Sequence, residues 1–157
     1  MILDSLILQT KLFMQEDMDI PIQNVDTQDN SPDKLELKTN TSMIGTGGKL
    51  NLMVIISFDE PLINHLVELF MEGEEVVEDE KEEIYDSVSG ETINTIIGLA
   101  LPTFPNRGKG VSITPPIAIH DVTNMKKHKN AKILSANVST QFGSLSVSVI
   151  GSEDIVK

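Results

Sequence analysis

Residues Val77 to Leu101, VEDEKEEIYDSVSGETINTIIGLAL, decide how the rest of the chain is read. At helical spacing Tyr85, Ser89, Thr92, Ile93, Ile96, Leu99 and Ala100 share one side, and apolar side chains dominate it increasingly toward the C-terminus. The spacing predicts one long helix that buries this side and is stopped by Pro102 and Pro105. The opposite side carries Glu80, Ser87, Glu91, Asn94 and Gly98, so the Glu91 carboxylate and the Asn94 carboxamide, one turn apart, point outward together. Taken alone, such a pair says no more than that the face is solvated.

Working outward, the acidic tract from Glu72 to Glu83 lacks the alternating oxygen ligands and central glycine of a calcium loop. Its carboxylates suit the first turns of the long helix, where the helix dipole favours negative charge. The preceding PLINHLVELFMEG, from Pro61 to Gly73, reads as a second helix delimited by proline at its start and glycine at its end, with Leu62, Leu66, Leu69 and Phe70 inward. His65 has no second histidine at metal-ligand spacing and is expected to face solvent or pack on the helix.

Before it, MIGTGGKLNLMVIISF (Met43–Phe58) is a hairpin pattern turning at Gly45 to Gly48. The glycines do not form a phosphate cradle, because no Lys-Ser/Thr follows and the next element is a strand. Leu35 and Leu37 alternate with charges, and residues 15–33, broken by Pro21 and Pro32, read as an extended crossing segment ending in a loop. Ile2 to Met14 places Ile2, Leu3, Leu6, Ile7, Thr10 and Phe13 at helical spacing, with Leu8 and Leu12 widening the apolar surface.

After the long helix, PNRGKG is a turn, and VSITPPIAIHD is two short strands about the rigid Pro115–Pro116. AKILSANVSTQFGSLSVSVIG then predicts two strands around a turn near Phe142 to Ser144, the second with one wet face because serine alternates with Leu and Val. The expected architecture is α+β: an antiparallel-rich sheet with long helices packed on it.

Composition bounds the function. A chain of 157 residues, 39% hydrophobic with mean hydropathy −0.03, fits one domain with a sizeable core. No cysteine is present, which excludes a disulfide framework, a thiol nucleophile and a cysteine-held metal or iron–sulfur cluster. A net charge of −12 repels nucleic acid and anionic membranes. The basic clusters that could oppose it, Arg107 with Lys109 and Lys126, Lys127, His128 and Lys129, are small and fall on expected loops. No apolar run approaches the ~20 residues that span a bilayer, and Asp4 stands where a signal peptide needs positive charge. The expectation is a cytoplasmic protein with no nucleic-acid or membrane partner.

The central helix gains its meaning from a longer pattern. Ser87-x3-Glu91-x2-Asn94-x21-Pro116 resembles the signature of the CheC/CheX chemotaxis phosphatases, and arises by chance in a chain of this composition about one time in two hundred. MIGTGGKLNLMVIISF, SITPPIAI and TQFGSLSVSVI resemble that family's strands in the same order, so the resemblance covers roughly residues 35 to 151. CheC-type members carry two signatures. Here the nearest second match, Asp79-x3-Glu83-x2-Asp86, ends in Asp and has Gly108 at the proline position. The single copy resembles CheX.

The resemblance implies one CheX-like phosphatase domain over 1–157, with 1–34 as an N-terminal helix and extended segment, and a homodimer joined through sheet edges. It implies removal of phosphate from the aspartyl phosphate of a CheY-like receiver domain, which brings its own Mg²⁺; the chain itself needs no cofactor and no metal. Glu91 would pair with the receiver's lysine and Asn94 would orient the hydrolytic water. Ser87 and Gly98 would lie at the contact, and Pro116 would support the helix. A carboxamide suits this task because it can accept one hydrogen bond and donate another, although it is no base at neutral pH. The alternative reading is a receiver-binding or motor-switch adaptor of the same fold without turnover.

Overall fold

The structure is a computed structural model and describes residues 2–28 and 33–152. Its chain order is α1 (Ile2–Leu12), a π-helical turn (Phe13–Asp17), β1 (Asn24–Gln28), β2 (Lys34–Glu36), β3 (Asn40–Gly48), β4 (Leu52–Phe58), α2 (Glu60–Phe70) and α3 (Lys81–Ala100). There follow β5 (Val111–Ile113), β6 (Ile117–Ile119), β7 (Asn124–Lys126), β8 (Ala131–Thr140) and β9 (Gly143–Ser152). The main sheet is antiparallel, ordered β1-β8-β9-β4-β3, and both β5 and β6 pair with β3 at one edge. This is the expected α+β architecture.

Alternation sorts β4 and β9 onto two faces. Leu52, Val54, Ile56, Phe58, Leu145, Val147 and Val149 point into a core shared with all three helices. On the other face Ile55, Ile133 and Ile150 form a second, smaller core with Leu35. The antiparallel pair β2–β7 covers it.

That cover corrects the reading of β9 as having one wet face in its second half: Ser144 and Ser146 are half-buried, but Ser148 is fully buried with its hydroxyl unpartnered among the described residues, where protein lies on both sides of the strand. Other differences have local causes. The segment at 15–33 holds a strand, β1, whose polar NVDTQ has no alternation to betray it and is held by pairing with β8; residues 29–32 of that segment, with Pro32, lie outside the described residues. Lys126 belongs to β7, not a loop. Leu8, Leu12 and Leu69 are exposed rather than packed, since one helix layer contacts the sheet through only one stripe of each helix.

The turn joining β8 to β9 is Gln141–Phe142, and Gly143 has φ 135°; an added Cβ there would lie 3.3 Å from the Leu62 nitrogen, so α2 comes close only because the residue is glycine. His65 of α2 stacks on Phe142, with ring centroids 3.7 Å apart. Asp59, just before α2, pins the same corner: the Ser144 amide and hydroxyl both donate to its Oδ2 at 2.9 Å, and Lys38 Nζ lies 3.7 Å from Oδ1.

Partial burial pushes the Asp59 carboxyl up, but the two Ser144 donors and the Lys38 charge outweigh it and hold the pKa below 3.8. A lowered folded-state pKa means that this contribution is present above the unfolded value and is lost as pH falls through the folded one. Asp59→Ala is expected to cost about 1–2 kcal/mol at neutral pH, the lower part of the charge-assisted range because the carboxylate is partly solvated. Urea unfolding of both proteins across acid pH should show the difference shrink below the ordinary carboxylate pKa; a gap independent of pH would mean that the carboxylate charge is irrelevant.

Candidate functional site

The long helix begins with a single 3₁₀ turn, Glu78–Glu80, and becomes α-helical at Lys81. Its buried residues are Val88, Ser89, Gly90, Thr92, Ile93, Ile96, Ile97 and Ala100. Tyr85 is half-buried, and its hydroxyl donates to Asn64 Oδ1 of α2 at 2.6 Å. Leu99, expected inside, is 54% exposed. At about 100° per residue it lies some 120° around the helix from Ile93, beyond the stripe that reaches the sheet.

Two contacts fix the rotation of α3. Ser89 and Ser42 of β3 share a buried hydroxyl hydrogen bond of 2.6 Å. One residue on, Gly90 meets Pro116: a Cβ at position 90 would stand 3.3 Å from Pro116 Cβ and 3.6 Å from its Cγ. The diproline segment between β5 and β6 therefore rests directly on the helix.

With that rotation set, Ser87, Glu91, Asn94 and Gly98 are all exposed on one face. Nothing stands within 4 Å of a Cβ added at Gly98. Among the described residues, no hydrogen bond or ion pair ties up the side chains of Ser87, Glu91 or Asn94. Ser87 to Asn94 spans two turns, about 10 Å of helix. They border an open groove of about 840 Å³ floored by Ser42, Gly90, Pro116 and Ala118. A carboxylate and a carboxamide offered side by side beside an open groove can grip a cation and orient a small polar molecule; neither can act as a strong base.

The N-terminal end of the groove is lined by Asp79, Glu82, Glu83 and Asp86. His120, just after β6, reaches across to it: its Nε2 lies 2.8 Å from Asp86 Oδ2 and 3.5 Å from Glu82 Oε1. The hydrogen bond to Asp86 raises the imidazole pKa above 6.5 against a smaller effect of desolvation, and the charges of Asp86, Glu82 and Asp121 add to it. Arg107 and Lys109 sit in the tight turn after α3, where Asn106 and Arg107 both have positive φ.

Sequence reasoning missed Gly90, Ser42 and His120. A glycine inside an otherwise regular helix is the one available signal, since it costs about 1 kcal/mol relative to alanine unless close approach requires it.

The sequence matches the family described as Chemotaxis phosphatase CheX over residues 40–139, which takes in β3 to β7, all but the last residue of β8, the whole of α3 and the proline at 116. The chain belongs to the chemotaxis phosphatase CheX family. No curated protein matches the sequence. Among solved structures, the fold is similar to a putative chemotaxis protein from Desulfovibrio vulgaris Hildenborough, with TM-score 0.77 and 18% identity over 96% of each chain. It is similar to the chemotaxis protein CheX from Desulfovibrio desulfuricans, with TM-score 0.76 and 15% identity over 94% of this chain and 97% of that one. The CheX of a CheX–CheY–BeF₃–Mg²⁺ complex from Borrelia burgdorferi matches with TM-score 0.73 and 16% identity over 94% of this chain and 95% of the other. At these identities the likeness establishes the fold alone. Among the described residues, no helix is long and apolar enough to cross a membrane.

If the Gly90–Pro116 contact sets the helix, Gly90→Val should destabilise the protein by about 1–3 kcal/mol by forcing the two elements apart. Gly98→Ala, in open space on the same helix, should stabilise it by up to about 1 kcal/mol. Equal effects of the two substitutions in urea unfolding would show that close approach at position 90 does not matter.

Proposed function

We propose that the protein dephosphorylates the aspartyl phosphate of a CheY-like receiver domain, using the α3 face of Ser87, Glu91, Asn94 and Gly98 as its active surface. The observation that carries this reading is the exposure of Glu91 and Asn94, with unpartnered side chains, beside the groove where Pro116 meets Gly90, in a chain of the CheX family. The CheX–CheY complex from Borrelia burgdorferi, which contains BeF₃ and Mg²⁺, supports a receiver as partner and Mg²⁺ as the partner's contribution.

An aspartyl phosphate is an acyl phosphate, already activated for hydrolysis; what it lacks is a water held in line with the leaving carboxylate. Mg²⁺ on the receiver neutralises charge on the phosphoryl oxygens. Glu91 pairs with the receiver's lysine and seats the helix in the cleft. The Asn94 carboxamide accepts a hydrogen bond from the water and donates one, which aims the water oxygen at phosphorus. The new P–O bond forms as the P–O bond to aspartate breaks; aspartate leaves as carboxylate, and the water proton passes to phosphate. Ser87 and Gly98 border the contact, the first as a short polar group and the second as a surface with no side chain to obstruct approach. Pro116 keeps α3 in place through Gly90. The protein works in the cytoplasm as a homodimer joined through sheet edges, each protomer a single domain carrying one such face.

Asn94→Ala should fold normally, since the side chain is exposed and unpartnered, and should lower kcat on a phosphorylated receiver by about 10²-fold or more. Glu91→Ala should chiefly raise KM. Phosphate release from excess phospho-receiver checks both: unchanged kcat in Asn94→Ala would remove the water-positioning role, and binding of the activated receiver without turnover by the parent protein would make it an adaptor.

A further inference from the structure

We propose that Glu82, Asp86 and His120 form a binding site for one divalent transition metal of the zinc class at the N-terminal end of the groove. Each residue turns one ligand atom toward the others, and the three atoms lie within 4.8 Å of one another. They come from two elements: Glu82 and Asp86 stand one turn apart on α3, and His120 arrives from the end of β6. Separations of 2.8 and 3.5 Å from the imidazole nitrogen to the two carboxylate oxygens bracket what adjacent ligands on one ion require when each metal bond is about 2.0–2.2 Å long.

The surroundings argue for a cation. Two carboxylates at this helical spacing repel each other, Asp79 and Glu83 line the same end of the groove, and none of these groups is paired with a lysine or arginine among the described residues. Among the described residues, His120 is the sole basic group in an ion pair with Glu82 or Asp86, and as a neutral imidazole it is itself a metal ligand.

The donor set selects the metal. One nitrogen and two carboxylate oxygens suit zinc with a position left for water, and the open groove supplies the room. Magnesium and calcium favour all-oxygen shells and would gain little from the imidazole. The site is separate from the proposed chemistry at Asn94, and it does not depend on that proposal being right. Occupied, it would cancel negative charge beside Ser87, at the rim of the surface a partner would meet.

Titration calorimetry with Zn²⁺ on the full chain, at mildly alkaline pH so that a proton does not compete for Nε2, tests the site without any receiver present. The expected result is one Zn²⁺ per chain, with affinity at least tenfold weaker in both His120→Ala and Asp86→Asn and unchanged in His128→Ala. Visible d–d absorption on adding Co²⁺ should appear in the parent and vanish in His120→Ala. Far-UV circular dichroism verifies folding; the His120 side chain is 43% exposed, so its removal leaves no core defect. Zn²⁺ binding that survives His120→Ala, or that is lost in His128→Ala instead, overturns the assignment, as does the absence of binding by the parent. Failure here leaves the phosphatase proposal untouched, because that proposal is tested by phosphate release.

Discussion

The structure depends on how closely α3 approaches the edge of the sheet. Ser89 bonds to Ser42, and the next residue, Gly90, has no side chain to hold Pro116 away. A helix free to roll by one residue would turn its faces through about 100°, enough to carry Asn94 out of the groove. The hydroxyl pair and the glycine–proline contact oppose that roll from adjacent positions. Burial of Ile93, Ile96, Ile97 and Ala100 fixes the rest of the helix. The polar face is thus specified by the face it opposes, and an exposed amide needs no partner of its own to be well placed.

The same economy runs through the sheet. β9 sits between β8 and β4, and β4 pairs in turn with β3, which carries the diproline segment through β5 and β6. Because β2 and β7 cover part of the second face of the sheet, β4, which lies beneath α3, is packed from both sides: Val54 and Ile56 on one face and Ile55 on the other are buried. A platform packed from both sides suits the proposed role, in which the site would contribute geometry: hydrolysis of an acyl phosphate gains from a water held in the right place, and gains little if the holder moves.

Much of this was readable from residue order because it rests on local periodicity. The helices, the presence of both hairpins and the outward pairing of Glu91 with Asn94 follow from spacings within a few turns or strands; the turn expected at Gly45 to Gly48 falls instead between Gly48 and Leu52, because Thr46, Gly47 and Gly48 extend β3 to pair with β5. What was not readable depends on partners distant in sequence. β1 is polar and shows no alternation, so only its pairing with β8 makes it a strand. Serines alternating along β9 looked solvated, yet Ser148 is fully buried, since alternation separates faces without saying what covers them. Leu99 is apolar and at helical spacing, but its burial would require a neighbour that the fold does not place there. Gly90 carried a local signal, an interior helix glycine, whose cause lies in Pro116, and His120 meets Asp86 only through the register of β6 against β3. The spacing from Asn94 to Pro116 linked the two parts through resemblance to a family, not through any contact visible in the sequence.

The central claim is that a rigid helix presents Asn94 to a phosphorylated partner. Its most direct test is a crystal structure of this chain bound to a CheY-like receiver trapped with BeF₃ and Mg²⁺. The account predicts the Asn94 carboxamide within hydrogen-bond reach of a water in line with the beryllium–aspartate bond, and the Glu91 carboxylate on the receiver's lysine. A receiver seated on another surface, or one that leaves Asn94 in bulk solvent, would contradict it.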